Sequence, residues 1–281
     1  MFDECLRRMD VHMSLRGSSI ATRQNYLRGL KVLMVYYQKL PESCTVDEIK
    51  SYLVYQRDEL NISSSTLNVR VCSLKYYFRH IVNRLDLVVK IPNPRVQKFQ
   101  TEIYTPEELS MLFRSCRDIR QLLMLHLLYD CGLRLGELSR LRACDIDKRD
   151  RTITIRNSKG GKTRVVYYGE RLRCTLNQYA KVHGINRGCP LLTSYTEVGK
   201  GLSLSGLQHL IKEIIRRSGV KKRGSAHTLR HTFAVHYLNR GGSLFSLQLL
   251  LGHSQLTTTL GYLKYAKIPD GLRVSVLDDL S

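Results

Sequence analysis

Six side chains in the second half of the chain have the types and order needed to act on a phosphodiester. They are Arg134, Lys159, His227, Arg230, His253 and Tyr262. An arginine presents a planar fork of donors that matches two non-bridging phosphate oxygens, and it stays charged at neutral pH. A phenol with an ordinary pKa of about 10 is neutral at pH 7, so it needs nearby cations to become a nucleophile. The set predicts a phosphate-binding site beside a tyrosine, which suggests covalent chemistry on DNA.

Several members of the set have rivals or ordinary alternatives close by. Arg134 alone could be a surface cation at a helix junction, although Glu137, one helical turn later, could orient it or a nearby imidazole. Lys159 shares its segment with Lys162 and Arg164, which are rivals for any role there. The functional interpretation therefore depends on the set as a whole.

The segment His227-Thr228-Leu229-Arg230-His231 offers a second interpretation, a zinc site. Its two histidines and Arg230 lie at positions i, i+3 and i+4 of a predicted helix, so they share a face. However, Thr228 occupies the position where a metalloprotease helix would carry its general-base glutamate. An arginine between two ligands also disfavours a metal cation. We therefore predict phosphate contacts here, and neither a metal nor a cofactor.

The elements that would position these residues can be predicted from turns and periodicity. Residues 152–155 alternate with a period of two, and a glycine turn joins them to the β-rich segment 165–168, which predicts a β-hairpin with Lys159 on its turn. Gly132 can end one helix so that another begins near Arg134. A capped helix is predicted from residue 105 to residue 129 with one break, and helices resume at about residue 170. Further helices are predicted at residues 207–217, 227–239 and 244–251.

The first part of the chain is predicted to be helical, and the second part to be mixed. Four helices are indicated, the first at about residues 2–14 and the others capped by Ser18 or Ser19, Thr45 and Ser63. Two prolines hold the segment after residue 90 extended. We expect a four-helix domain at 1–90, a linker at 91–101, and an α+β catalytic domain with a small antiparallel sheet at 102–281. The fold class is therefore mainly α with two domains.

Composition indicates the partner and the compartment. The 281 residues include 45 Lys and Arg against 24 Asp and Glu, a net charge of +21. Residues 1–100 carry 16 basic and 9 acidic side chains and the remainder 29 and 15, so both parts contribute to the excess. Nucleic acid is favoured over a membrane surface as the partner. The eight cysteines lack C-x-x-C spacing and are expected to be reduced thiols. Because no signal peptide or membrane span is evident, we expect a cytoplasmic protein on the nucleoid.

Together these motifs resemble those of the tyrosine site-specific recombinases, the phage-integrase family. The matching segments are C-G-L-R-L-G-E-L around Arg134, K-G-G-K from Lys159, H-T-L-R-H from His227, and L-L-G-H ending at His253. Tyr262 follows at the usual nine residues, and Tyr265 stays as a rival nucleophile. The likeness extends over about residues 102–265, and residues 1–90 are similar to the helical core-binding domain of the family.

The resemblance implies a mechanism and a role for each residue. Tyr262 would attack the scissile phosphate to give a 3′-phosphotyrosyl link, while Arg134 and Arg230 stabilise charge on the non-bridging oxygens. Lys159 would protonate the leaving 5′-oxygen. His227 would handle the tyrosine proton or bond the phosphate, and His253 would bond the same phosphate. No metal or nucleotide cofactor is implied.

The resemblance also implies a homotetramer on a specific double-stranded DNA site. Integration, excision and resolution stay open, as does the need for an accessory or host DNA-bending protein. We expect no arm-binding domain before residue 1, and therefore a compact Xer-like, integron-like or transposon-encoded enzyme. The tail after Lys267 could dock on a neighbour or on its own subunit. Two alternatives are a type IB topoisomerase and a DNA-binding regulator without catalysis.

Overall fold

The computed structural model describes residues 2–94, 102–156, 163–184, 188–197 and 199–267. These ranges contain thirteen α-helices, two short 3-10 helices and three strands. The chain divides into two compact units, residues 1–99 and 100–281. The prediction of a mainly helical chain with a small antiparallel sheet is confirmed. Across the described ranges, no helix is both long and apolar enough to cross a membrane.

The first unit contains the four predicted helices and a short fifth one. They are α1 (Phe2–Leu15), α2 (Ile20–Tyr37), α3 (Val46–Asp58), α4 (Ser64–His80) and α5 (Leu85–Lys90). Ser19, Thr45 and Ser63 cap helices as predicted, and Thr45 forms a full capping box with Glu48. Helix α5 follows Arg84, which makes no side-chain cap. The absence of that signal explains why the sequence did not predict it.

The core of the first unit is built from the inward faces of these helices. Met9, Leu30, Leu33, Leu74 and Tyr77 are all fully buried. Leu30 and Leu33 lie three residues apart on α2, and Leu74 and Tyr77 lie three residues apart on α4, so each pair shares one face of its helix. Of the predicted linker at 91–101, residues 95–101 lie outside the described part of the chain.

The second unit contains eight helices within its described ranges. They are α6 (Pro106–Arg114), α7 (Ile119–Asp130), α8 (Leu135–Leu138), α9 (Glu170–His183), α10 (Leu204–Ser218), α11 (Ala226–Asn239), α12 (Leu244–Leu251) and α13 (Leu256–Leu260). The break predicted before residue 129 separates α6 from α7. Helix α7 packs between α9 and α11 and carries a run of buried leucines. The segments that follow the carboxyl ends of α7 and α12 carry Arg134 and His253, respectively.

The sheet consists of β1 (Ile146–Asp147), β2 (Thr152–Ile155) and β3 (Arg164–Tyr167), in that order and antiparallel throughout. Ile153 pairs with Val166, and both side chains are buried in the core of the unit. The predicted hairpin is therefore confirmed. Its turn, with Lys159, falls in residues 157–162, which lie outside the described ranges.

Candidate active site

Five of the six predicted residues lie on four segments of the second unit. Arg134 precedes α8, and His227 and Arg230 are on α11, whereas His253 follows α12 and Tyr262 follows α13. Direct contacts join Arg230, His253 and Tyr262, whereas Arg134 is linked to them through Glu137 and His227 through His231. The sixth, Lys159, belongs to the segment outside the described ranges.

A glycine sets the turn that brings Arg134 to the site. Gly132 has φ +57°, in the left-handed region that favours glycine. A Cβ atom there would lie 2.7 Å from Cδ1 of Phe233 and 3.0 Å from Cδ2 of Leu251. The chain can therefore turn closely against α11 and α12 only without a side chain at this position. The same turn presents the Gly132 carbonyl oxygen to Arg230, at 2.6 Å from Nη1.

The carboxylate of Glu137 is the anion that organises the arginines. It accepts hydrogen bonds of 2.8 Å from the backbone N–H and Nη1 of Arg134, and two more of 2.8 Å from Nη1 and Nη2 of Arg164. Nη1 of Arg230 lies 4.0 Å from Oε2. The sequence-based prediction that Glu137 orients Arg134 agrees with these contacts. The side chains that contact this carboxylate are guanidiniums and not the imidazole that the sequence offers as the alternative.

Burial and the neighbouring arginines shift the pKa of Glu137 in opposite directions. Burial alone would raise the pKa, but the hydrogen bonds and charge of Arg164, together with the bonds from Arg134, lower it to about 2. Arg164 also donates from Nε to the Leu250 carbonyl oxygen at 2.7 Å. The carboxylate is thus ionised at neutral pH, and Arg164 fixes it relative to the end of α12.

Arg230 is a buried cation held by the turn after α7 and by the end of α12. It is 3% exposed, and it donates to the carbonyl oxygens of Gly132 and Leu251 at 2.6 and 2.7 Å. Burial, followed by repulsion from Arg134, lowers the pKa of the guanidinium to about 10. The group therefore stays charged at neutral pH. It also contacts His253, with 3.1 Å between Nη2 and Nε2.

These contacts determine the tautomer of His253. A guanidinium can only donate, so Nε2 of His253 accepts from Arg230 and the proton lies on Nδ1. Nδ1 then donates to Oγ1 of Thr259, a buried residue, over 2.9 Å. Burial and then the charges of Arg230 and Arg134 lower the pKa of His253 to about 4. The imidazole is therefore neutral and fixed at pH 7.

Tyr262 lies beside this cluster with its ring parallel to that of His253. The centroids are 6.2 Å apart and the planes differ by 12°. Tyr262 is 6% exposed; burial raises the pKa of the phenol, while Arg230 and Arg134 act to lower it. The hydroxyl oxygen is 3.0 Å from Nδ1 of His231. The candidate nucleophile is thus neutral, ordered and next to a nitrogen base.

His227 occupies a more open position at the start of α11. Solvent reaches part of its side chain, and burial of the remainder, followed by the charges of Arg230 and Arg134, lowers its pKa. It borders a cavity lined also by Lys212, Gly224 and Ser225. Its ring centroid is 6.3 Å from that of His231. Within the described ranges, no three His, Cys, Asp or Glu side chains form a group able to hold a metal ion.

Two residues near the reacting groups were not assigned these positions from the sequence. His231 had been weighed only as a zinc ligand, although its place four residues after His227 indicated that it shares the polar face of α11. Arg164 had been named as a rival of Lys159, and the structure pairs it with Glu137 instead. No local signal marks that pair, because the two residues are 27 positions apart.

Two protein-family models match the chain, one in each unit. The model described as "Phage integrase family" matches residues 102–267. The model described as "Phage integrase, N-terminal SAM-like domain" matches residues 5–85.

Related proteins agree with these matches. A "Tyrosine recombinase" of Pseudothermotoga lettingae is 33% identical over 223 residues, which cover 78% of this chain and 76% of that protein. A "Tyrosine recombinase XerC" of Pediococcus pentosaceus is 30% identical over 240 residues, covering 78% and 77%. Both names describe recombinases that use a tyrosine.

Solved structures share the fold. A lambda integrase dimer bound to a COC′ core site has a TM-score of 0.77 at 21% identity, and the match covers 92% of this chain and 94% of that one. A lambda integrase tetramer bound to a Holliday junction has a TM-score of 0.75 at 20% identity, covering 97% and 78%. At this level of identity the likeness concerns the architecture.

Proposed function

The chain belongs to the phage integrase family of tyrosine recombinases, enzymes that cleave and rejoin DNA, and we propose that it acts at a specific duplex site through a 3′-phosphotyrosyl link to Tyr262. One observation carries the proposal: the Tyr262 ring lies parallel to His253, whose Nε2 accepts from the buried Arg230. A phenol is thereby held beside a preformed cationic site, as attack on a phosphodiester requires.

In the proposed step the Tyr262 oxygen bonds to phosphorus and the bond from phosphorus to the 5′-oxygen breaks. Arg134 and Arg230 stabilise the negative charge that develops on the non-bridging oxygens. A phosphate oxygen takes the place of Nε2 of His253 as the acceptor for Arg230. The proton of His253 then moves from Nδ1 to Nε2, so that His253 can donate a hydrogen bond to the same phosphate. The 5′-hydroxyl of another strand then reverses the chemistry, which conserves the phosphodiester without a metal or nucleotide.

The proposed acid and the second imidazole complete the set. Lys159 protonates the leaving 5′-oxygen; it belongs to the connection between β2 and β3, and Arg164 at the start of β3 contacts Glu137. The same end of the hairpin is thus tied to the site. His227 bonds the phosphate from the open side, because solvent reaches its side chain.

The proposed partner is double-stranded DNA, bound as a homotetramer. The excess of 45 basic over 24 acidic residues suits contacts to a phosphate backbone, which set register and affinity. The lambda integrase neighbours were solved as a dimer and a tetramer on DNA, which supports the assembly. We place the enzyme in the cytoplasm on the nucleoid, and we propose a compact recombinase that integrates, excises or resolves DNA, with or without a host DNA-bending protein.

The first experiment identifies the site and tests the covalent step. Fragments of host genomic DNA that bind the protein are selected and sequenced, and the cleaved position is mapped. A duplex of that sequence, nicked beside the scissile phosphate, then traps any protein–DNA adduct. We expect wild type and Tyr265→Phe to form the adduct and Tyr262→Phe to form none.

The outcomes separate the alternatives. An adduct with Tyr262→Phe would move the nucleophile to another residue. If wild type binds the site but forms no adduct, the chain is a regulator that does not cleave. If it relaxes supercoiled DNA as a monomer and never exchanges strands between two sites, it acts as a type IB topoisomerase.

A further inference from the structure

His231 is placed to exchange a proton with the reacting oxygen. We propose that His231, through Nδ1, takes the proton of the Tyr262 hydroxyl as that oxygen attacks phosphorus, an assignment that rests on the proposed function. His227, which the resemblance offered for this role, then acts only on the phosphate. The proposal adds His231 as a catalytic residue because it contacts the reacting atom.

The geometry of the contact supports direct transfer. Nδ1 of His231 lies 3.0 Å from the Tyr262 oxygen, within the range for a general base and its proton. The two ring centroids are 5.4 Å apart. His231 is on α11, immediately after Arg230, so the base and the phosphate-binding guanidinium are fixed by one helix.

The surroundings keep His231 neutral and therefore able to accept a proton. Burial, followed by the charges of His227 and Arg230 on the same helix, lowers its pKa to about 4. Two titratable groups face it from other segments, His253 after α12 and Tyr262 after α13. His253 is also neutral at pH 7, but its Nε2 accepts from Arg230 and its Nδ1 carries the proton that it donates to Thr259, so neither nitrogen is free to take the phenol proton.

The proposed transfer balances in protons and bonds. Before attack, His231 carries its one proton on Nε2, and the phenol donates to Nδ1. During attack the oxygen–phosphorus bond forms and the phenol proton moves to Nδ1, which leaves an imidazolium. The 5′-oxygen leaves with a proton from the acid assigned to Lys159. In the rejoining step the imidazolium returns its proton to the tyrosine oxygen as the 5′-hydroxyl attacks.

An asparagine at position 231 separates proton transfer from positioning. The Oδ1 atom of Asn can occupy nearly the place of Nδ1 and accept the phenol hydrogen bond, but it cannot take the proton. Single-turnover cleavage of the nicked duplex is measured from pH 5.5 to pH 8.5 for wild type, His231→Asn and the matched variant His227→Asn. His231→Gln serves as a second variant, and circular dichroism checks the fold of each.

The expected profiles differ in slope as well as in rate. Wild type should be nearly independent of pH, because its base is already neutral throughout. His231→Asn should be slower by about 10²-fold at pH 7, and its rate should rise about tenfold per pH unit because only preformed phenolate reacts. His227→Asn should be slower with a flat profile. A flat profile for both His231 variants, at any rate, would overturn the assignment.

A substrate with a sulfur leaving group distinguishes this proposal from the rest of the mechanism. A 5′-bridging phosphorothiolate releases a thiolate that needs no protonation. It should restore cleavage by Lys159→Ala and leave His231→Asn slow. Recovery of His231→Asn to the wild-type rate would refute the role of His231. If wild type itself forms no adduct with either substrate, the proposed function fails, independently of His231.

Discussion

Replacement of Glu137 by glutamine tests whether one buried carboxylate holds the arginines in place. The Glu137 side chain is 2% exposed and is shared by Arg134 and Arg164. Glutamine keeps the shape of the side chain but removes its charge. It also directs an amide N–H at guanidinium groups that are themselves donors, so at least one hydrogen bond becomes a repulsive contact.

The magnitude of the effect follows from the pKa of the carboxyl group. Its lowering from 4.5 to about 2 corresponds to about 3 kcal/mol of preference for the ionised form. Loss of one partner of a buried pair costs about 3–5 kcal/mol in general. We therefore expect Glu137→Gln to lower the free energy of unfolding by about 3 kcal/mol at pH 7. Because the pKa is lowered in the folded state, this contribution is present above about pH 4.5 and is lost as the pH falls toward 2.

The assay is urea unfolding followed by far-ultraviolet circular dichroism, since the chain contains no tryptophan. Glu213→Gln is the matched control, because Glu213 pairs with an arginine on an exposed helix face. The midpoint of its urea unfolding curve should equal that of wild type. The double variant Glu137→Gln/Arg164→Met should recover part of the lost stability, because it removes both members of the buried pair.

The activity of the same variant gives an independent measure. Arg134 loses its ionised partner, so we expect adduct formation to slow by about 10²-fold, similar to the loss of one preorganised donor. If Glu137→Gln unfolds at the same urea concentration as Glu213→Gln and cleaves DNA at the wild-type rate, then the carboxylate does not organise the site.

Three further predictions concern the turn, the response to acid and the binding of DNA. Gly132→Ala should lower the free energy of unfolding by about 2–4 kcal/mol, from its left-handed φ and the contact with Phe233, whereas Gly136→Ala, in helix α8, should be neutral or stabilising in the same urea assay. His126 has its pKa lowered to about 4 by burial and then by Arg171, so stability should fall as the pH drops from about 6.5 to 4. By pH 5 the share of this loss that comes from His126 should be about 1 kcal/mol after screening, and His126→Gln should lose that much less stability than wild type, because His231 and His253 still contribute their own shares. DNA affinity should fall by about 10³-fold or more between 50 and 200 mM salt in a binding titration; a weak salt dependence would contradict phosphate contacts as its main source.

Local sequence signals predicted the elements that have such signals. The capping residues Ser19, Thr45 and Ser63 begin helices where expected, because a side-chain oxygen satisfies the first free N–H groups of a helix. Helices α5 and α13 were not predicted. The residues before them, Arg84 and Gln255, make no side-chain cap, and each helix instead packs against the helix that precedes it, α5 on α4 and α13 on α12.

The site was predictable in its members but only partly in its contacts. Spacing placed His227 and His231 on one helical face, yet it could not tell which of them meets the phenol. That depends on how the segment after α13 crosses α11, which is a tertiary property. In the same way, the ion pair of Arg164 with Glu137 requires the hairpin to lie against the end of α12. No short sequence pattern predicts that tertiary contact.

The contacts of Arg230 explain how a buried cation is stabilised before a phosphate binds. The Leu251 carbonyl oxygen is the last one of α12, where the helix dipole is negative and the last carbonyls lack partners within the helix. The Gly132 carbonyl oxygen belongs to the turn that follows α7. One guanidinium therefore satisfies a helix end and a turn while Glu137 offsets part of its charge. The cost of ordering these groups is met during folding, before any phosphate arrives. A cationic site so constrained needs little reorganisation when charge develops on a phosphate, and this is the condition under which electrostatic stabilisation is most effective.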